Sequence, residues 1–182
     1  MRNKFFLCTL LLIFSIDLFS QKFISRNSQI NFNASTILEE IRAINNNVSC
    51  ILDSENGNVA IQMKMISFKF KKALMEEHFN EKYVESEKYP NSNFAGEILN
   101  WDKSLLNGDL HNIICRGKIT IHGVSKSIET QSTIQKINNK IIIISNFTLV
   151  NSDFDIKIPK LVKDKISEIV EVNLNIQLLE LK

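Results

Sequence analysis

The sequence predicts an all-β protein: an antiparallel sheet of about eight strands closed on itself, with one helix inserted midway. Three observations lead there. Apolar residues recur at every second position through most of the 182 residues, the period that sends successive side chains of a strand to opposite faces. Asn and Gly dipeptides at Gly57, Gly108, Gly123 and Asn138 punctuate the alternating runs, and these residues tolerate the positive φ of tight hairpins. No repeat, low-complexity tract or linker divides the chain, which reads as one domain. Closing the sheet removes its edges, and ~8 strands enclose an interior that side chains fill or that holds one small apolar ligand.

The first 20 residues stand apart. Arg2 and Lys4 precede an apolar run from Phe5 to Phe14, and small and polar residues follow. That is the layout of a signal peptide. The run is shorter than the ~20 apolar residues of a membrane-spanning helix, and Asp17 interrupts it. Cleavage after Ser20 is expected, giving residues 1–20 as signal and 21–182 as the folded domain. The mature chain is then periplasmic or secreted, without stable membrane insertion. It keeps 20 basic and 19 acidic residues, a balance that leaves no electrostatic footprint for nucleic acid. Cys50 and Cys115 remain; alternation puts both on apolar faces, where buried free thiols are the expected state and a disulfide the alternative.

Within the domain, "FISRNSQINFNAS" forms a first strand ending near Ala34, with Ile30 and Phe32 on one face. "LEEIRAINNNVSCILDSENG" reads as two strands or one long bent one, closed by the Asn-Gly turn at Gly57. "NVAIQMKMISFKF" alternates with Val59, Ile61, Met63 and Met65 on one face. Residues from about Lys71 to Val84 then switch period, placing Leu74, Met75, Phe79 and Tyr83 on a single helical stripe. After Pro90 the strands resume as "NFAGEILNW", "GDLHNIICRGKITIHG", "SKSIETQSTIQKI", "KIIIISNFTLV" and "ISEIVEVNLNIQLLEL".

Three blocks of this sequence resemble the YceI-like family, the polyisoprenoid-binding domain proteins of bacteria. "SFKFKKALMEEHFNEKYVESEKYPNSNFAGEI" is similar to the family's strand, histidine-bearing helix, lysine-tyrosine-proline turn and following strand, through Met75, His78, Phe79, Lys88, Tyr89, Pro90 and Phe94. "GKITIHGVSKSIE" resembles the family hairpin through Gly117, Thr120, Gly123, Val124 and Lys126, and "FTLVNSDFDIKIPK" resembles a late strand with its aspartate-aromatic pair, Asp153 and Phe154. The blocks run in family order across roughly residues 23–182. The resemblance implies an extended lipocalin-like eight-stranded barrel with an elongated apolar cavity, capped by the inserted helix. It also implies an exported protein without catalysis that holds an isoprenoid or other long-chain lipid and takes no cofactor.

On that reading Phe32, Ile61, Met63, Met65, Phe79, Phe94, Ile119 and Ile121 line the barrel, and methionine's flexible, polarizable side chain suits an irregular aliphatic ligand. His78 and Tyr89 form a polar mouth or plug. The segment "EEHFNEKYVESEKYP" also permits a metal-dependent enzyme around His78 with Glu77 and Glu81. His78 and Glu81 have the helical spacing of ligands, but Glu77 lies well around the helix and no second histidine is near. A histidine that packs beside the apolar stripe and satisfies itself by a hydrogen bond is the favoured reading. His111 and His122 are eleven residues apart on one strand and so face opposite ways. No nucleophile elbow or phosphate-cradling loop is present among the five glycines. The lysines of "FKFKKALM" are a candidate basic rim for lipid headgroups or a solvated helix start. An exported interaction module with a solid barrel is the alternative to lipid binding, and a homodimer is left open.

Overall fold

The computed structural model describes residues 21–181, so the expected signal segment and its cleavage site lie outside the described residues. Nine strands run β1 (Lys22–Asn33), β2 (Arg42–Asp53), β3 (Asn58–Lys64), β4 (Lys69–Phe70), β5 (Asn91–Ile98), β6 (His111–Ile121), β7 (Val124–Ile137), β8 (Lys140–Val150) and β9 (Ile169–Glu180). The helix α1 (Ala73–His78) continues directly into a π-helical turn over Phe79–Tyr83. The sheet order is β1-β9-β8-β7-β6-β5-β3-β2, and β2 returns to pair with β1, closing an antiparallel barrel of eight strands. The two-residue β4 only extends β2 at its start, where Ala43 faces Phe70.

Period-two alternation does what it predicts. Val59, Ile61 and Met63 of β3 are buried while their neighbours are exposed, and Val172, Leu174, Ile176 and Leu178 do the same on β9. β2 is one continuous strand. In β1 the pairing slips on both sides, between Ser25 and Ile30 against β2 and between Ile24 and Gln29 against β9. Bulges of this kind sharpen the bend of a strand at a barrel corner. Here two serines satisfy the irregular backbone: Ser25 and Ser28 share a hydrogen bond of 2.7 Å, and Ser28 Oγ accepts from the Gln177 amide at 3.1 Å.

Three local expectations change. Met65 belongs to a 3₁₀ turn, Met65–Ser67, that ends the β3 run, yet its side chain stays buried. Asn107-Gly108 does not join two strands tightly. Twelve residues separate β5 from β6, and they include a 3₁₀ turn at Lys103–Leu106 whose first amides Asp102 caps, accepting from Ser104 N at 2.8 Å. His122 lies beyond the end of β6, in the two-residue turn with Gly123, where both adopt positive φ of 50° and 76°. The expectation that it shares a strand with His111 fails because the hairpin reverses one residue earlier.

The core is not evenly distributed. Phe23, Leu52, Ile98, Ile134, Ile141, Ile176 and Leu178 are almost completely buried. The register places them together in the half of the barrel that contains the β2–β3 and β7–β8 turns. Trp101 closes that end. Its indole donates to the Ser54 carbonyl at 3.0 Å, and a Cβ at Gly57 would come within 2.6 Å of it, so this turn requires glycine for space as well as for its φ of 74°. Cys50 and Cys115 are buried and free. Burial, with a smaller contribution from nearby Cys115, pushes the Cys50 thiol up to about 12. Burial also raises Cys115, partly offset by a hydrogen bond with Ser132.

Candidate functional site

The other half of the barrel is hollow. A cavity of about 440 Å³ opens there, inside the ~300–1,000 Å³ span of small-molecule sites. Its wall is Ile30 and Phe32 of β1, Met63 of β3, Ile119 and Ile121 of β6, Phe147 and Leu149 of β8, and Val172 of β9. The helix and its π turn roof it with Leu74, Met75, Phe79 and Tyr83, and the segment after β8 adds Phe154, Ile156 and Ile158. The wall is also split on one side. β7 pairs with β8 only from Ser132 to Ile137, while β8 continues to Val150 on β9, so the two strands part towards the open end.

Of the residues expected to line the barrel, Phe32, Met63, Met65, Phe79, Ile119 and Ile121 border this cavity, as does His78. Ile61, Phe94 and Tyr89 do not. Ile61 lies one strand step deeper, within the packed core. Phe94 points inward but turns its ring across Gly96 and Gly117, where an added Cβ would meet its Cζ at 2.7 Å. The two glycines thus make room for an aromatic ring, and the ring fills that part of the interior. Tyr89 packs edge-on against His122, ring centroids 4.6 Å apart, outside the cavity lining.

An aromatic cluster ties the helical roof to the wall. Phe79 stacks among Phe32, Phe68 and Phe70 at centroid distances of 5.6, 5.6 and 5.1 Å. Glu76 fixes the helix start from outside, pairing with Lys69 and accepting from the Phe70 amide at 3.2 Å. The Lys69 hydrogen bond above all holds its carboxyl below the usual carboxylate range. In the π turn the Val84 amide reaches back five residues to the Phe79 carbonyl, 2.9 Å. Buried Asn80 donates to the Glu76 carbonyl at 2.8 Å.

The ring of His78 makes no hydrogen bond among the described residues, so the expected self-satisfied histidine is a different one. His122 contacts two acceptors: Nδ1 donates to the Phe154 carbonyl at 3.0 Å, and Nε2 lies 2.7 Å from Glu85 Oε2. The His122 hydrogen bond is the main cause of a Glu85 carboxyl held below its ordinary range, with Lys88 adding to it. Gly123 completes the cluster, because a Cβ there would stand 2.5 Å from the Tyr89 ring. Lys126, from the same hairpin, reaches Asp153 at 3.4 Å. Three segments far apart in sequence are thereby joined beside the cavity: the turn after the helix, the β6–β7 hairpin and the 3₁₀ turn at Asn151–Phe154. Among the described residues, no group of three or more His, Cys, Asp or Glu is arranged to hold a metal ion. No helix there is long and apolar enough to cross a membrane.

These three joined segments are the three blocks whose sequences resemble one family, and the sequence profile of the YceI-like domain matches residues 22–178. The chain belongs to the YceI-like family. Solved structures of similar fold include a polyisoprenoid-binding domain from Saccharophagus degradans implicated in plant cell wall breakdown. It is 15% identical with a TM-score of 0.77, over 88% of this chain and 98% of that one. Burkholderia cenocepacia BcnA matches at 12% identity and TM-score 0.69, covering 83% and 95% of the two chains. The YceI protein of Campylobacter jejuni matches at 20% and 0.56, covering 75% and 82%. At these identities the likeness is one of fold. No curated protein matches the chain in sequence. As a YceI-like domain, the chain has the lipocalin-like barrel of its family, a fold that supports lipid binding.

Proposed function

We propose that this YceI-like chain is an exported, non-catalytic lipid-binding protein that holds an isoprenoid or similar long-chain amphiphile in the hollow half of its barrel. One observation carries the reading: an open cavity of about 440 Å³ walled almost wholly by phenylalanine, methionine and aliphatic side chains. Burial of an alkyl or polyprenyl chain there would be favourable by ~25 cal/mol for each Å² removed from water. The mechanism is capture. Met63, Met65 and Met75 supply adaptable surface to a ligand of irregular shape, and the Phe79 roof covers it. The polyisoprenoid-binding relative of the same fold supports this ligand class. The basic-then-apolar beginning of the sequence supports delivery to the periplasm or beyond, with a mature terminus near Gln21.

The test is organic extraction of protein purified from its native host, followed by mass spectrometry, on wild type and a Met63→Trp variant. Met63 faces the cavity, so a larger side chain finds room instead of the ~1–3 kcal/mol strain of an overpacked core. The expected result is a co-purifying long-chain lipid in wild type. The variant should lose it while its denaturation midpoint stays nearly unchanged. Wild-type protein that carries no lipid and takes up no added isoprenoid, with a variant that unfolds much earlier, would instead identify a solid barrel.

A further inference from the structure

The mouth of the cavity is built from three segments that touch one another. The β1–β2 loop meets the segment before β9, where the Ser167 amide donates to the Ala34 carbonyl at 2.9 Å and Thr36 Oγ1 donates to the Asp164 carbonyl at 2.8 Å. The same loop meets the start of the helix through Lys72 and Glu39, 2.6 Å apart. Around this mouth large aliphatic side chains stand exposed among charged ones. Ile37 and Leu161, at the tips of two of these segments, are essentially fully exposed at 104% and 97%, and Leu38 and Leu74 are more than half exposed. A lone surface leucine is ordinary, but four large aliphatic side chains ringing one opening form an interaction surface.

The charge around these tips identifies the partner. Residues 157–166, "KIPKLVKDKI", carry four lysines against one aspartate, Asp164. None of the four lysines makes an ion pair within 4 Å among the described residues, although Lys165 lies near enough to Glu39 to add to the lowering of its carboxyl. The acids of the facing loop are already engaged, Glu39 by Lys72 and Glu40 by Arg42 at 3.5 Å. Exposed aliphatic tips flanked by lysines that make no close ion pair fit the interfacial region of an anionic bilayer, where apolar side chains enter the acyl boundary and each nearby lysine adds attraction. A second copy of this chain would bring the same lysines against themselves.

We infer that the open end of the barrel docks on an anionic lipid surface, with Ile37, Leu38 and Leu161 inserting and Lys157, Lys160, Lys163 and Lys165 contacting headgroups. The inference rests on the lipid-binding reading for its purpose. Docking in this pose sets the cavity mouth against the membrane, so that a long-chain lipid passes between bilayer and barrel without crossing water.

The experiment is flotation of the mature protein with vesicles of phosphatidylglycerol and phosphatidylcholine, against vesicles of phosphatidylcholine alone. Two double variants, Ile37→Asp with Leu161→Asp and Lys160→Glu with Lys163→Glu, change only exposed side chains. Thermal midpoints and uptake of a fluorescent polyene fatty acid from dilute alcohol report whether the fold and cavity survive. Wild type is expected to float with the anionic vesicles, less so as salt rises. Each double variant should lose at least about tenfold in partitioning, with midpoint and polyene uptake unchanged. Wild type that floats equally poorly with both vesicles overturns the inference, as does equal binding by wild type and both variants. So does a concentration-dependent dimer that the aspartate variant dissolves while no vesicle binding is seen. Loss of polyene uptake in wild type with vesicle docking intact would remove the cavity reading and leave the docking surface standing.

Discussion

His122 and Glu85 show how much a single contact organises at the rim. The imidazole spans a backbone carbonyl and a carboxylate, and both residues hold left-handed backbone, Glu85 at φ 45°. Such conformations persist only where surrounding contacts over-determine them. Because Glu85 titrates below its ordinary range, mainly through the His122 hydrogen bond, its contribution is present above the usual carboxylate pKa and lost as pH falls through the lowered one. Glu85→Gln is therefore expected to destabilise the protein at neutral pH and to flatten the acid limb of a stability profile measured by urea titration. Lys88, Tyr89, Lys126 and Asp153 share the neighbourhood and should be monitored by the same profile. A profile whose acid limb is identical in the variant would exclude the pair as a titrating contact. In the sequence His78 draws attention instead, because acids crowd around it locally. The partner of His122 lies 37 residues away, and no spacing rule connects them; only the matching of both segments to one family hints that they meet.

At the level of elements, the helix illustrates what periodicity can and cannot fix. Leu74, Met75, Phe79 and Tyr83 do share a face, and that face covers the cavity. Only six residues are α-helical, however, and the following five form a π turn. The register change coincides with Asn80, a buried amide that donates to the Glu76 carbonyl. A side chain that competes for backbone bonds in this way is invisible to hydrophobic pattern. Asn107-Gly108 misleads for a related reason: the dipeptide bends the chain, but Asp102 and Trp101 upstream decide that a longer capped loop precedes it. Since so short a helix has little intrinsic stability, its order must come from tertiary contacts, of which Phe79 with its three aromatic neighbours is the main apolar one. Phe79→Ala is expected to cost roughly 2–3 kcal/mol, below the ~3–5 of a fully enclosed phenylalanine because the ring also borders open space. Hydrogen exchange should accelerate selectively over 73–84. A variant losing that stability uniformly, with no local change in exchange, would mean that the roof is held elsewhere.

The whole molecule divides along the barrel axis, and the division follows from strand alternation combined with side-chain size. Inward positions at the closed end carry isoleucine, leucine and phenylalanine from every side, enough volume to fill an eight-stranded interior. Midway, Cys50, Ser28, Thr130, Ser132 and Ser145 form a buried layer of small side chains, several of them bonded to one another, as Ser132 is to Ser145 at 2.9 Å. Above that layer the walls carry large apolar residues again, but β7 and β8 part and the helix roofs the space without filling it. Strand count, alternation and closure were legible in the sequence. The partition was not, because which inward residues meet depends on register and bulges that no local pattern encodes. The partition has a measurable consequence. Leu178 is fully buried at the packed end, so Leu178→Ala removes contacts that nothing can replace and is expected to cost ~2–5 kcal/mol in urea unfolding. Leu149 borders the cavity and is only half-buried, so Leu149→Ala enlarges an existing space and should cost about 1 kcal/mol or less, since the enclosed-void penalty is absent. Added long-chain lipid should then raise the thermal midpoint of wild type and of Leu178→Ala by similar amounts, because a ligand stabilises only the state that binds it. For Leu149→Ala the lipid-dependent shift should differ from both. Equal destabilisation by the two leucine variants would mean that the barrel is uniformly packed, and the hollow half would have to be given up.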